Sequence, residues 1–494
     1  MGNLITEEVR SKVLAKITPT KEELDNQTKV ISELKNALIR QSEVADFQYS
    51  FIEPQGSTGR KQTQLRGVAD IDLFVGLNPV DYSEVLELPQ QQRHSRINHL
   101  MDGLVSDWFT HAITGLDVSS VQKTYSQHPY LSLNMRGLDV DILGCFDIDQ
   151  VKLAEDGPYT AVDRTVHHTR FVADNLTKEK RENARILKSF VRGSHAYADR
   201  CAVGRMGLTG VSLELLAILS NNIEKAFHAL EHLDKKPIDP KDRSLTELEQ
   251  TPSFRNNHIF LIDPTDTNRN IASSFSPRSY RWVKHRIIEL RQVSKRQNAK
   301  SVTNMLIEKP IPTKALPNWL EEYVAVHEFK SDGSTHYTIL RDKLHRIARR
   351  AQTLLQAERT GEPRFGMTLA EVYFENDNYA VGFIVENTKI SEHYSRRGPP
   401  ADLIEASEEF KKIHSDAQVK DGFFWVTEKR QWTAADALIA NTFLENPNDG
   451  LTLTRKSKVS RRVLTVLHKF ILPIEPELFQ KITRVKDRNL ERTG

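Results

Sequence analysis

The chain has 494 residues, 38% of them hydrophobic and 27% charged, with a formal net charge of +3. That length allows about three domains with ordinary cores, and no apolar run approaches the ~20 residues that span a bilayer, so no membrane span is expected. Two cysteines, Cys145 and Cys201, are too few and too far apart for a disulfide framework or a zinc knuckle, and a reducing cytoplasm fits.

Residues 1–8 lack a basic leader and a long apolar core, so secretion is not expected. Gly2 and Thr6 fit a short myristoylation pattern, but Glu7 and Glu8 stand where a polybasic second anchor would be wanted. Over residues 21–39 the apolar Leu24, Ile31, Leu34 and Leu38 recur at helical multiples, which predicts an amphipathic helix on a sheet. A strand over 47–52 follows, then the turn Gly56-Ser57-Thr58-Gly59-Arg60, then Asp70-Ile71-Asp72-Leu73-Phe74-Val75. Side chains alternate along a strand, so Asp70 and Asp72 share one face while Ile71 and Leu73 share the other. Close carboxylates raise the cost of ionising one another, and a bound divalent cation is the usual remedy. A helical stretch around 93–113, a strand near 119–124 and the strand Leu138-Asp139-Val140-Asp141-Ile142-Leu143 complete an α/β head of about 150 residues. A lone Asp-x-Asp is common on solvated strand ends and a lone Gly-Ser is a turn. The order Gly-Ser, Asp-x-Asp, second acidic strand points instead to metal-dependent nucleotidyl transfer.

After Pro158 the pattern turns helical, with Ala184, Leu187, Phe190 and Val191 on one face and residues 208–223 apolar enough for a buried helix. Read from its neighbours alone, Lys188 is a snorkelling surface lysine. Residues 235–253 are polar and Pro-punctuated, a predicted loop insertion. A strand over 323–329, a basic helix over 338–359, and an antiparallel pair, 365–374 with 379–386, around Asn376-Asp377-Asn378 predict a small sheet with one helix. Arg396-Arg397-Gly398-Pro399-Pro400 is expected to break it, with helices around Phe423-Phe424-Trp425-Val426 running to the end. Basic residues crowd 281–300 (Arg281, Lys284, Arg286, Arg291, Lys295, Arg296, Lys300) and 456–488 (Lys456, Lys458, Arg461, Arg462, Lys469, Lys481, Arg484, Lys486, Arg488). Such clusters are either a phosphate footprint or solvated helix faces.

The order of these motifs resembles the archaeal-type (class I) CCA-adding enzymes, tRNA nucleotidyltransferases of the polymerase-β-like superfamily. Beyond the head motif, the similar segments are 125–130 (Tyr-Ser-Gln-His-Pro-Tyr), 161–168, Ile186-Leu187-Lys188-Ser189-Phe190, 263–272 and Arg396-Arg397-Gly398-Pro399, in the family's order along most of the chain. The resemblance implies an α+β protein with a nucleotidyltransferase head (1–158), a helical neck (159–275), a mixed body (276–317 and 398–494) and an RRM-like tail (318–397). It places Asp70, Asp72 and Asp141 as catalytic, metal-binding carboxylates for two Mg²⁺ ions, the third helping to activate the attacking 3′ hydroxyl. It places Ser57 and Arg60 on the triphosphate, His168, Lys188 and Tyr197 on the incoming nucleotide's phosphates and sugar, and Thr165 in the same motif. Arg269 matches an arginine that helps read the base, and Tyr125 with Ser126 matches support for the acceptor's 3′ end. Implied partners are nucleoside triphosphates, ATP and CTP among them, and a tRNA acceptor; no membrane is implied, and a homodimer is allowed.

The chain also departs from that pattern. Between Gly56 and Asp70 it carries one residue more, and Lys61-Gln62-Thr63-Gln64 replaces a more apolar Thr-Trp-Leu stretch. Residues 83–92 and 235–253 are longer too. Superfamily relatives that make oligonucleotide or cyclic signals in antiviral or antiphage defence are the alternative reading. An RNA-binding protein with a decayed site predicts missing carboxylates, and all three are present.

Overall fold

A computed structural model describes residues 4–125, 128–447 and 449–483. These form two compact units. The first comprises residues up to Ala198 with Leu208–Phe275 and Arg286–Glu308, and the second Asp199–Gly207, Ser276–His285 and residues from Lys309 on.

In the first unit, Thr20 and Glu23 form a reciprocal capping box that starts the helix Lys21–Ala45. The helix is longer than the expected 21–39 and stops where Asp46 turns left-handed, at φ 55°. Its buried Val30, Leu34 and Leu38 pack into the head core. The head sheet is built from β1 (Phe51–Gln55), β2 (Asp70–Leu77), β3 (Val118–Tyr125), β4 (Pro129–Met135) and β5 (Leu138–Phe146), in the order β1-β2-β5-β4-β3. Only β2 and β5 run parallel within it. The first strand begins later than expected, where Phe47 stacks on Trp108 and Tyr49 packs against it at a tilt of 43°. Trp108 is fully buried, and its indole N–H donates to the Leu38 carbonyl at 2.8 Å, pinning the long helix. The expected 93–113 helix begins at Gln90, runs to Gly103 and continues through a π-helical turn, Leu104–Phe109, to Ala112.

The neck helices are Asp163–Asn175, Lys178–Gly193, Gly210–Leu219 and Ile223–Glu231. The buried helix expected over 208–223 is the shorter Gly210–Leu219, and the next helix begins at Ile223, where Asn222 caps it by accepting from the Lys225 N–H. The expected loop over 235–253 contains the helix Leu245–Gln250, capped by Ser244 and Glu247 and anchored by Leu248 against Phe254, Phe260 and Ile262. A two-stranded hairpin follows, β6 (Ile262–Asp263) with β7 (Asp266–Asn270).

In the second unit, β8 (Val324–Ser331), β9 (Thr368–Glu375) and β10 (Asn378–Val385) follow the expected strands, with the helix Tyr337–Gln356 packed on them through Leu340, Leu344, Ala351 and Leu355. Two expectations hold only in part here. The Arg396–Pro400 stretch is a strand, β11 (His393–Pro400), in a sheet with β12 (Gln418–Lys420) and β13 (Phe423–Lys429), ordered β11-β13-β12. Its prolines are tolerated because β11 is an edge strand whose register slips between Arg397 and Pro400. The helices expected beyond 400 are present at Ile404–Ile413, Ala435–Glu445 and Lys458–Val466, but β14 (Leu451–Thr454), not expected, joins the larger sheet, ordered β14-β8-β10-β9.

Candidate active site

The parallel register of β2 on β5 sets Asp72 opposite Asp141 and Asp70 opposite Asp139. Ile71, Leu73, Val140 and Ile142 fill the other face and are buried. Asp70 is exposed at the start of its strand, whereas Asp72 and Asp141 are half-buried. Burial, then the charges of Asp141 and Asp70, push the Asp72 carboxyl up to about 6, against an opposing pull from Lys61. Asp141 is raised by burial as well, partly offset by a hydrogen bond from Ser132, its cross-strand neighbour on β4. Tyr130, two residues earlier on the same face of β4, has its hydroxyl held up at about 12 by burial and by the charges of Asp141 and Asp72. It therefore stays protonated beside the acids.

The turn ahead of β2 fits closely against this cluster. A Cβ on Gly56, at φ +66°, would lie 2.3 Å from Asp72 Oδ2, and one on Gly59 would lie 2.3 Å from the Pro54 carbonyl oxygen. Only glycine allows both approaches. The Thr58 hydroxyl donates to the Asp70 carbonyl at 2.9 Å, stitching turn to strand. Ser57 is half-buried and its carbonyl accepts the Thr63 N–H at 3.0 Å. Arg60 is exposed, its guanidinium 3.0 Å from Glu53.

Behind the turn lies a buried ion network. Lys188 Nζ is 2.7 Å from Glu214 Oε1 and 2.9 Å from the Thr63 hydroxyl, and Lys61 Nζ is 2.8 Å from Glu214 Oε2. The Thr63 hydroxyl also donates to Glu214. Lys188 is buried, so the snorkelling reading is overturned: Glu214, on the neighbouring helix Gly210–Leu219, supplies an anion inside the neck. Burial alone would raise the Glu214 carboxyl, but Lys188 and Lys61 outweigh it and hold it at about 2. A Cβ on Gly210 would come within 2.7 Å of the Tyr197 hydroxyl and 3.5 Å of Lys188 Nζ. Tyr197 is held up at about 12 by burial and by Glu214.

A third group joins the neck helix Asp163–Asn175 to the β6–β7 hairpin. His168 Nδ1 and Arg269 Nη1 each lie 3.4 Å from Asp263 Oδ2. Asp263 is fully buried and also accepts from the Thr265 hydroxyl at 2.7 Å. Burial lowers the His168 imidazole despite Asp263, with Arg269 and Lys61 acting in the same sense as burial. Arg164 Nε is 2.7 Å from Asp266 in the same hairpin.

The family described as "tRNA nucleotidyltransferase, second domain" matches residues 182–299. The CCA-adding enzyme of Methanosarcina mazei is 24% identical over 459 residues, covering 89% of this chain and 90% of that protein. That of Saccharolobus islandicus is 24% identical over 93% of this chain and 98% of its own length. That of Thermococcus gammatolerans is 29% identical over 56% of each. The chain is a nucleotidyltransferase homologous to the archaeal-type CCA-adding enzymes. Among solved structures, Escherichia coli MS115-1 CdnC aligns over 61% of this chain and 96% of its own, at 19% identity and TM-score 0.44.

Of the residues singled out in this nucleotidyltransferase, Asp70, Asp72, Asp141, Ser57, Lys188, Tyr197, His168 and Arg269 fall in the three groups just described. Arg60 is exposed and paired with Glu53 of β1, whereas its neighbour Lys61 is buried. Thr165 is half-buried one turn before His168, its N–H bonded to the Val162 carbonyl. Tyr125 ends β3, 55% exposed. Ser126 lies outside the described residues, as do Arg484, Lys486 and Arg488. Sequence reasoning missed Glu214, Asp263, Ser132 and Tyr130. A lone acid inside the apolar run 208–223 and the alternation Tyr130, Ser132, Asn134 against Leu131, Leu133, Met135 were the available signals.

Proposed function

We propose that this protein transfers nucleotides, without a nucleic-acid template, from CTP and ATP to the 3′ hydroxyl of a tRNA, ending it in CCA and releasing pyrophosphate. The observation that carries the reading is the β2–β5 register, which puts Asp72 beside Asp141 on the face that Gly56 closes over. Three carboxylates on one face, with Asp72 pushed up to about 6, form a donor set that suits a hard divalent cation. Asp70, Asp72 and Asp141 would hold two Mg²⁺ ions. Bound there, the ions ease ionisation of the attacking hydroxyl and neutralise charge on the leaving pyrophosphate.

The protein's own residues bind and orient. Ser57 and the turn amides hold the triphosphate, with the exposed Arg60 able to exchange its partner Glu53 for phosphate oxygens, since pairs at the surface are weak. Lys188 and Tyr197 reach the phosphates and sugar from positions fixed by Glu214 and Gly210, with His168 and Thr165 beside them. Arg269, steered by Asp263, presents a donor fork to the base. Tyr125 and Ser126 support the acceptor end. The 3′ oxygen bonds to the α-phosphorus as that phosphorus releases pyrophosphate, and no protein nucleophile intervenes. The setting, at the time of reaction, is preorganised charge.

The test is incubation with each labelled nucleoside triphosphate, with and without a tRNA ending at its discriminator base, and resolution of products by length. Two C and one A should be added to tRNA, and then addition should stop. A homopolymer, or an oligonucleotide or cyclic product formed without tRNA, would overturn the reading in favour of a signal-making enzyme.

A further inference from the structure

Away from the acid cluster, His228, Glu231 and His232 each bring a ligand atom to the end of the helix Ile223–Glu231, and these atoms all lie within 4.8 Å of one another. The order His-x-x-Glu-His places the three side chains at i, i+3 and i+4, on one helical face. Ile223, Ala226, Phe227 and Leu230 occupy the opposite, buried face, so core packing fixes the rotation of this one. His228 is exposed, and Glu231 and His232 are half-buried.

Two contacts orient the group as ligands are oriented in metal sites. His232 Nδ1 is 2.8 Å from the His228 carbonyl oxygen, which can only accept. Nδ1 therefore carries the proton and Nε2 presents its lone pair, an arrangement that commonly fixes the tautomer of a metal-binding histidine. Glu231 Oε2 is held at 2.6 Å by Arg291 Nη2, which fixes the carboxylate beside the two histidines. The two imidazoles already lie 4.3 Å apart between centroids, tilted by 36°. Tetrahedral ligation at about 2.0–2.1 Å needs the ligand atoms about 3.3–3.4 Å apart, a closure of at most about 1.5 Å, towards which the exposed His228 can rotate.

We propose that His228, Glu231 and His232 bind one borderline divalent cation, Zn²⁺, leaving a fourth position for water. Two imidazoles and one carboxylate suit Zn²⁺ and reject Mg²⁺, whereas Asp70, Asp72 and Asp141 offer oxygen alone. The site is therefore chemically separable from the nucleotidyl-transfer site, and it stands whether or not the acceptor there is tRNA.

The test titrates Zn²⁺ into untagged, EDTA-treated full-length protein in excess Mg²⁺, by calorimetry, with X-ray absorption on the loaded protein. One equivalent should bind, with imidazole nitrogens in its coordination shell. His228→Ala and His232→Ala should each weaken binding at least about tenfold, and Glu231→Gln should weaken it while keeping the helix. Circular dichroism and Mg²⁺-supported nucleotide transfer should be unchanged in His228→Ala, whose side chain is exposed. Binding of equal stoichiometry and affinity in the His228→Ala/His232→Ala double variant, or an all-oxygen shell, would overturn the proposal.

Discussion

Glu214 stands between two buried lysines, and removing its charge is more disruptive than removing a typical surface acid. Glu214→Gln leaves Lys61 and Lys188 as buried cations facing a neutral amide, which should cost about 3–5 kcal/mol in urea unfolding at neutral pH. The pH dependence follows from the same group. Its folded value, about 2, lies below the model-peptide value of 4.5, so its contribution is complete above about 4.5 and lost as pH falls towards 2. Wild-type stability should fall across that window more steeply than that of Glu214→Gln. Asp72 behaves oppositely. Its folded value is raised from 3.8 to about 6, so ionising it costs stability as pH rises through that interval. In EDTA above pH 7, Asp72→Asn should unfold no earlier than wild type, while Mg²⁺ should raise the wild-type melting temperature and leave the variant's unmoved. Nucleotide transfer should drop about a thousandfold, and a variant retaining most activity would show that the cluster has another task.

At the scale of elements, the Gly56 turn and β2 work as one unit, and two glycines separate strain from contact. Gly56 and Gly67 both have positive φ, +66° and +68°, but an added Cβ would strike Asp72 only from Gly56 and meets nothing within 4 Å from Gly67. Each alanine variant should lose about 1–2 kcal/mol for the left-handed backbone. Only Gly56→Ala should also lose most transfer activity, because the Asp72 carboxylate must turn away. Equal activity in both variants would mean that the turn and Asp72 are not coupled. The helix Lys458–Val466 makes a comparable distinction among its cations. Lys456, Lys458 and Arg461 are exposed, whereas Arg462 is partly buried and paired with Glu375. Replacing the first three by serine should weaken tRNA binding and make its logarithmic salt dependence shallower by about two to three, with triphosphate binding spared. Arg462→Ser should instead lower stability. An unchanged salt slope in the triple variant would assign that face to solvent.

At the scale of the whole molecule, the proposed base reader is assembled from segments far apart in the chain. His168 comes from a neck helix, and Asp263 and Arg269 from a hairpin about a hundred residues later, yet the three side chains meet. Arg269→Ala should therefore raise misincorporation of A for C, and C for A, more than it slows transfer. The measurement is the ratio of incorporation rates for CTP and ATP on tRNA acceptors ending before each CCA position. A uniform loss of rate with unchanged ratios would make Arg269 a structural partner of Asp263 alone.

What the sequence by itself determined was local and periodic. Alternation along 70–75 and 138–143 put the acids on one face and the aliphatics on the other, and helical spacing identified the buried side of residues 21–39, because both patterns repeat within a few residues. Motif order along the chain pointed to the right relatives. Tertiary structure alone decided which charges meet. Lys61 and Thr63 are 153 and 151 residues from Glu214, and no local pattern reports an ion pair across that separation. For the same reason Lys188 looked like a surface lysine until the helix Gly210–Leu219 supplied its anion from 26 residues away, and β11 and β14 were hidden because an edge strand is defined by the neighbour it pairs with, not by its own residues.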